Sequence, residues 1–293
     1  MRNRPAMGPP RVSELPMPRL SIIIVTYNSL AHIDGCLRPL VEHPPARDHE
    51  IVVVDNASTD GTAAAIHARW TGVRVIDAGA NLGFARANNL GMQQTFGGLI
   101  LLLNPDTAVH AGAIDTLIAA LDARPDAAIA GPRLVNADGR AELSFGAMIS
   151  PLAELRQKIL VLGSDRGIAP ISAYVEWLTR APREVDWVSG ACMLVGRADA
   201  DAAGLMDERY FMYAEDVDFC AAMRSRGRKV LFVPSAEVVH LRGQSRATAP
   251  RATEGAYRRS QIAFYEKHHP GWARALRLYL KLRGRLPDTT IKP

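Results

Sequence analysis

Short apolar runs alternate with amphipathic stretches through the first third of the chain. Residues 21–25 (SIIIV), 51–54 (IVVV), 73–76 (VRVI) and 99–103 (LILLL) are continuous and β-branched or Leu-rich. Runs that are apolar at nearly every position suit parallel strands covered on both faces. Between them, residues 30–42, 62–69 and 84–94 have helical character. Repeated strand–helix units need right-handed crossovers, so the pattern predicts an α/β fold with a doubly wound, mostly parallel sheet and helices on both faces. The second half is less regular. Residues 186–195 (DWVSGACMLV) read as a strand or loop–strand, 215–225 as a helix and 229–233 (KVLFV) as a strand, and the chain beyond Arg251 as a C-terminal helical segment. Residues 149–183 carry no clear pattern and are assigned to the acceptor side of a cleft.

In such sheets ligands bind beyond the carboxyl ends of the strands. The segments that follow the apolar runs are TYNS (26–29), DNASTDGT (55–62), NLGFARANN (81–89) and NPDT (104–107). One polar loop after a strand is ordinary; four in succession along one edge predict a polar crevice.

Composition narrows the class. A chain of 293 residues that is 48% apolar can bury one substantial core. A net charge of +5 suits anionic ligands, such as nucleotides or anionic lipid surfaces. No RNA-recognition, zinc-finger or helix-turn-helix pattern accompanies it, so no nucleic-acid partner is expected. Three scattered cysteines, Cys36, Cys192 and Cys220, without a CxxC spacing, read as buried thiols in a reducing compartment. Residues 1–18 are Pro-rich without an apolar h-region and are expected to be a disordered leader. No apolar run reaches membrane-spanning length, so a cytoplasmic protein is expected.

Several residues have two readings. Asp55 leaves a buried strand directly into the crevice and can accept from a base or ribose, whereas Asp60 suits a helix cap. Asp106 follows a central strand and can bind a divalent cation, but Asn-Pro-Asp is also strong turn chemistry. Glu215, Asp216 and Asp218 open a helix, where acids favour the dipole. The apolar run Tyr210–Tyr213 before them would raise a carboxyl pKa and suit a general base. Spacing does not choose among the three acids. His240 ends AEVVH and is a candidate nitrogen ligand, although a lone histidine is more often structural.

Taken together, SIIIVTYNS, VVVDNASTDGT, NLGFARANN, LLLNPDT, VSGACMLVGR, FMYAEDVDFCAAMRSRG and VVHLRGQS resemble glycosyltransferase family 2, the inverting GT-A type enzymes, and within it the rhamnosyltransferase-like branch. The closing YRRSQIAFYEKHHPG is also similar to the tail of these enzymes. The resemblance implies a GT-A, Rossmann-like catalytic domain over residues 19–247, with a nucleotide-binding half (19–107) and an acceptor-binding half (108–247), followed by a helical, basic segment (248–293). It implies that Thr26, Tyr27, Asn28, Asp55, Asn81, Gly83, Asn88 and Asn104 bind the donor nucleotide. Asp106 would be the last acid of the family's Asp-x-Asp motif, with Asn104 at the position of the first acid. With His240 it would hold Mg²⁺ or Mn²⁺. Asp216 would be the catalytic base, and Gly190, Glu215 and Arg242 would serve the acceptor or assist. The implied partners are a dTDP- or UDP-sugar, dTDP-rhamnose first, and a glycan or polyprenyl-linked acceptor used in cell-envelope polysaccharide synthesis.

Two rival classes lack their signatures. A nucleotidyltransferase would carry a Gly-rich, basic loop after the first strand, where this chain has TYNSLAHI. A non-catalytic binding module has no use for Asp106, Asp216 and His240 together. No GxGxxG follows the first strand, which argues against a dinucleotide-binding dehydrogenase. Residues 272–285 (WARALRLYLKLRGR) are apolar and basic, which suits equally a membrane-surface helix at the inner face of the plasma membrane and a helix packed on the catalytic domain.

Overall fold

A computed structural model of the protein describes residues 20–241 and 250–287. The expected leader and Arg242 lie outside the described residues. In chain order the elements are β1 (Leu20–Thr26), α1 (Ile33–Glu42), β2 (His49–Asp55), α2 (Thr62–Arg69), β3 (Val73–Asp77), α3 (Phe84–Gln93), β4 (Leu99–Leu103), β5 (Thr107–Val109), α4 (Ala113–Asp122), β6 (Ala127–Val135) and β7 (Phe145–Gly146). There follow α5 (Pro151–Asp165), α6 (Ala169–Leu178), β8 (Arg183–Val185), β9 (Trp187–Val188), β10 (Cys192–Gly196), α7 (Arg197–Ala203), α8 (Glu215–Ser225), β11 (Lys229–His240), α9 (Pro250–His268) and α10 (Pro270–Leu282).

The central sheet has nine strands, ordered β3-β2-β1-β4-β10-β6-β11-β5, with β8 paired onto β11. Strands β3, β2, β1 and β4 are mutually parallel, as the apolar runs predict. β10 enters antiparallel between β4 and β6, and β11 runs parallel to β6. Although every position of β1 is buried, its side chains still sort by the strand period of two. Ile22 and Ile24 join one apolar layer with Ile33, Leu37 and Leu40 of α1 and Leu117 of α4. Ile23 and Val25 join the opposite layer, with Met92 of α3 and Phe219 and Met223 of α8. Burying each such side chain contributes about 1.5–3 kcal/mol, which is what holds the strands in register.

Two local expectations are corrected. The helix expected from residue 30 starts at Ile33, because the Ser29 carbonyl first accepts from the N–H groups of His32 and Ile33 in a turn. The strand expected at 229–233 continues to His240, with a register irregularity between Val233 and Glu237.

The register aligns Thr26, Asp55 and Asp77 on one edge, and β4 ends on the same side, so Asn104 leaves the sheet there. β11 pairs antiparallel with β5, placing His240 opposite Thr107. α9 and α10 dock on the body through a third apolar cluster of Tyr210, Val217, Phe264, Tyr265 and Ala273. The three cysteines are buried and unpaired, and burial pushes the Cys36 thiol up to about 12. Among the described residues no helix is long and apolar enough to cross a membrane.

Candidate active site

The edge expected to bind the donor is stitched from loops that follow β1, β2 and β3. Asp55 is buried; one of its oxygens accepts from Thr26 Oγ1 at 3.0 Å and the other from the Ser58 N–H at 3.0 Å. Asn28 adopts a left-handed backbone (φ 51°), its N–H donates to Ser58 Oγ, and its Oδ1 accepts from the Thr59 N–H. Asp60 accepts from the N–H groups of Leu30 and Thr62, but the cap position of α2 is Gly61. Asn81 Oδ1 accepts from Asn56 Nδ2 and the Gly83 N–H. Asn88 is buried and donates to the Phe84 carbonyl, so its amide also fixes the first turn of α3. Tyr27 is half exposed and leaves an aromatic face beside this polar rim.

The loop after β4 is a turn, closed by the N–H and hydroxyl of Thr107 on the Asn104 carbonyl. The turn does not exclude a ligand role for Asp106. Its Oδ1 lies 3.5 Å from His240 Nε2, while His240 Nδ1 lies 3.2 Å from Oε2 of buried Glu142. The Leu241 N–H donates to the Asp106 carbonyl, locking the two segments together. Burial disfavours the charged imidazole, but hydrogen bonds and charge from Asp106 and Glu142 outweigh it and hold His240 up at about 9. Asn104 Oδ1 is buried with no hydrogen-bond partner among the described residues. Among those residues no group of three His, Cys, Asp or Glu side chains is disposed to hold a metal. Two protein ligands plus diphosphate oxygens is nonetheless a fitting donor set for Mg²⁺ or Mn²⁺, and the orphaned oxygen belongs to Asn104, two residues before Asp106 in the same turn.

The three acids at the start of α8 have separate fates. Asp218 is deeply buried; it accepts from the Tyr210 hydroxyl, ion-pairs with Lys267 Nζ at 2.8 Å and hydrogen-bonds His268 Nε2 at 2.6 Å. Both its oxygens are thus engaged by structure. Glu215 is buried, and one of its oxygens has no partner among the described residues. Burial first, and the neighbouring Asp216 charge second, raise it well above the usual carboxylate range. Asp216 is half-buried, and its Oδ2 accepts from the Gly190 N–H at 2.9 Å and its Oδ1 from the Val217 N–H at 2.8 Å. Desolvation raises its pKa against these hydrogen bonds. Such a carboxylate is a stronger base than one in water.

Two glycines let these parts approach. A Cβ on Gly83 would stand 2.4 Å from the Phe211 carbonyl oxygen, which accepts from the Phe84 N–H. A Cβ on Gly190 would press on Asp216 Cβ at 3.3 Å. Tyr213 and Ala214 both adopt left-handed backbone (φ 70° and 66°), a strain of order 1–3 kcal/mol each that aims the start of α8. α9 holds this loop from outside, through Ser260 Oγ on the Met212 carbonyl and an edge-on contact of Tyr213 with Tyr257.

The centres are linked. The Ala191 carbonyl accepts from the Asn104 N–H, and the adjacent Gly190 N–H donates to Asp216. One short segment therefore touches both the Asp106 turn and the α8 acids. Glu142 is absent from the sequence-based candidates. Its only signal is an acid placed between a DG turn and the apolar Leu143, which is too common a pattern to single it out.

Comparison with known proteins shows the family and the fold. Residues 21–163 match the family model for glycosyl transferase family 2. The chain is 34% identical over 278 residues to the N-acetylglucosaminyl-diphospho-decaprenol L-rhamnosyltransferase of Mycobacterium tuberculosis, covering 91% of this chain and 90% of that one. It is 26% identical to a low-salt glycan biosynthesis hexosyltransferase of Haloferax volcanii, over 73% of this chain and 64% of that one. Among solved structures, a mannosyltransferase of Pyrobaculum calidifontis in complex with GDP-Man and Mn²⁺ superposes with a TM-score of 0.59 at 18% identity, covering 93% of this chain and 73% of that one. GalNAc-T7 with UDP, GalNAc and Mn²⁺ superposes at 0.57, also at 18% identity, covering 77% of this chain and 43% of that one.

Proposed function

The chain belongs to glycosyl transferase family 2, and from that premise we propose that it moves L-rhamnose from a dTDP donor, with inversion, onto a polyprenyl-diphosphate-linked sugar in cell-envelope synthesis. That the protein is a glycosyltransferase follows from the family. The sugar and acceptor are supported by the Mycobacterium tuberculosis relative, which spans almost the same length. The cytoplasmic face is supported by the unpaired cysteines and by the nucleotide-sugar donor.

One observation carries the mechanism: the 190–191 segment bonds Asp216 on one side and the Asn104–Asp106 turn on the other, with His240 beside Asp106. Tyr27, Asn28 and Asn81 would form the accessible donor rim, backed by buried Thr26, Asp55, Gly83 and Asn88, where Asp55 fixes the loop and the Tyr27 ring offers a stacking face. Asp106 and His240 would hold the divalent cation, with Asn104 alongside. When bound, that cation supplies a Lewis acid for the negative charge left on the departing diphosphate. Glu142 would keep the proton on His240 Nδ1, and a cation binding beside Asp106 would displace the Nε2 proton, making Nε2 the ligand nitrogen. Asp216 accepts the proton of the acceptor hydroxyl as its oxygen attacks the anomeric carbon opposite the diphosphate. One displacement inverts that carbon. Asp218 shapes the helix start, and burial disfavours a charge on Glu215 beside Asp216.

The test supplies dTDP-rhamnose, Mn²⁺ and a short-chain polyprenyl-diphospho-N-acetylglucosamine, with the product's anomeric configuration read by NMR. A rhamnosylated lipid of inverted configuration is expected. Transfer from other nucleotide sugars but not from dTDP-rhamnose would discard the sugar assignment.

A further inference from the structure

Residues 149–183 fold into α5 and α6, and α5 has more apolar surface than its packing uses. Leu152, Leu155, Ile159 and Leu162 recur at helical spacing and are all exposed, Leu152 to 77%. The opposite side of α5 is occupied: Gln157 donates to the carbonyls of Leu143 and Phe145, and Glu154 accepts from Gln261 and Tyr265. Exposed Arg156 and Lys158 flank the stripe on its two sides.

α10 repeats the arrangement. Ala273 and Leu280 face the body, whereas Trp272, Leu278, Tyr279 and Leu282 are exposed, Leu282 to 78%. Arg274, Arg277 and Lys281 form a third, basic face. The two helices start side by side: His269, just before α10, bonds the Ile149 carbonyl, just before α5, at 2.7 Å, and Ile149 packs on the Phe264–Tyr265–Ala273 cluster. Two solvent-facing apolar stripes, each lined by cations, thus belong to helices that start from one point.

We propose that α5 and α10 together form a surface that docks on an anionic lipid bilayer. This rests on the lipid-linked acceptor proposed above, and makes α5, rather than the basic C-terminal helix alone, the aliphatic anchor. Aliphatic side chains with flanking cations and interfacial Trp and Tyr suit the headgroup boundary. A second copy of the chain is disfavoured as the occupant, because a twofold contact would bring the same cations face to face. Anionic headgroups neutralise them instead. The placement also serves the acceptor. α5 borders a cavity of about 200 Å³ through Val161, Ser164 and Asp165, and Glu142, the partner of His240, lines the same cavity. A headgroup whose lipid stays in the bilayer beneath α5 would enter beside the proposed centre.

The test is co-sedimentation of the full chain with phosphatidylcholine vesicles, with and without phosphatidylglycerol. Leu155→Ser/Ile159→Ser is compared with wild type, its fold checked by circular dichroism. The expected results are binding that requires phosphatidylglycerol, weakened ~10-fold or more in the variant, with unchanged turnover on a water-soluble, short-chain acceptor. Equal vesicle binding by variant and wild type would overturn the proposal, as would a dimer in light scattering that the variant dissolves. Anionic-vesicle binding by a protein inactive on any polyprenyl acceptor would uphold the surface and remove the acceptor reading.

Discussion

The donor half and the α8–α9 region solve the same problem, fixing polar side chains at the rim of a crevice, by opposite means. On the donor side the bonds are between loops of adjacent strands, such as Asp55 with Thr26 and Ser58, and Asn81 with Asn56 and Gly83. The sheet has already brought those loops together, and each bond is one of several. Around α8 the fixing groups come from far along the chain. Asp218 is held by Lys267 and His268, and Asp216 by Gly190. The donor edge is therefore redundant, whereas each acid of α8 depends on few distant partners. The proposed base, Asp216, lies where redundancy is lowest.

That contrast can be broken at graded points. Removing the cation with EDTA should lower turnover ~10³-fold or more, since charge stabilisation on the leaving group is worth several kcal/mol; Mn²⁺ or Mg²⁺ should restore it, and full activity in chelator would take the metal out of the account. Glu142→Gln removes the charge behind His240 and should weaken Mn²⁺ binding, read by calorimetry, by about 10–100-fold, while Asn81→Ala on the donor edge leaves it unchanged. Asp218→Ala should cost about 2–3 kcal/mol in urea denaturation, less than a fully buried pair because Lys267 and His268 keep some contact with water.

The smallest effect is on the pH dependence of stability. Because the folded-state pKa of Glu215 is raised above its unfolded value, the associated stability is complete below about pH 4 and is lost as pH rises through the folded value. The melting temperature of Glu215→Gln should therefore fall less than that of wild type between acid and neutral pH. Parallel curves would mean that Glu215 finds a partner for its charge.

How much of this was legible in the sequence follows the same division. Strands β1, β2 and β4 announce themselves because both faces are buried, so runs such as IIIV and LILLL carry no polar interruption, whereas β3 exposes Arg74 and Asp77. The loops at their ends follow from the strands. Asp216 could not be told from Asp218 by pattern, because the difference lies in Lys267 and His268, some fifty residues away. Glu142 was missed for the same reason: its meaning comes from His240, across the sheet. The helices of 149–183 are hard to read because α5 is apolar on two sides, with Leu160 and Val161 packed inward and Leu155 and Ile159 facing solvent, so no single stripe stands out.

The central claim is that Asp216, and not its neighbours, receives the acceptor proton. The direct measurement is transfer by Asp216→Asn alongside calorimetric binding of the donor nucleotide. The account predicts turnover reduced by about 10²–10⁴-fold with donor affinity and melting temperature close to wild type. Near-normal turnover, or a loss of donor binding that matches the loss of rate, would contradict it.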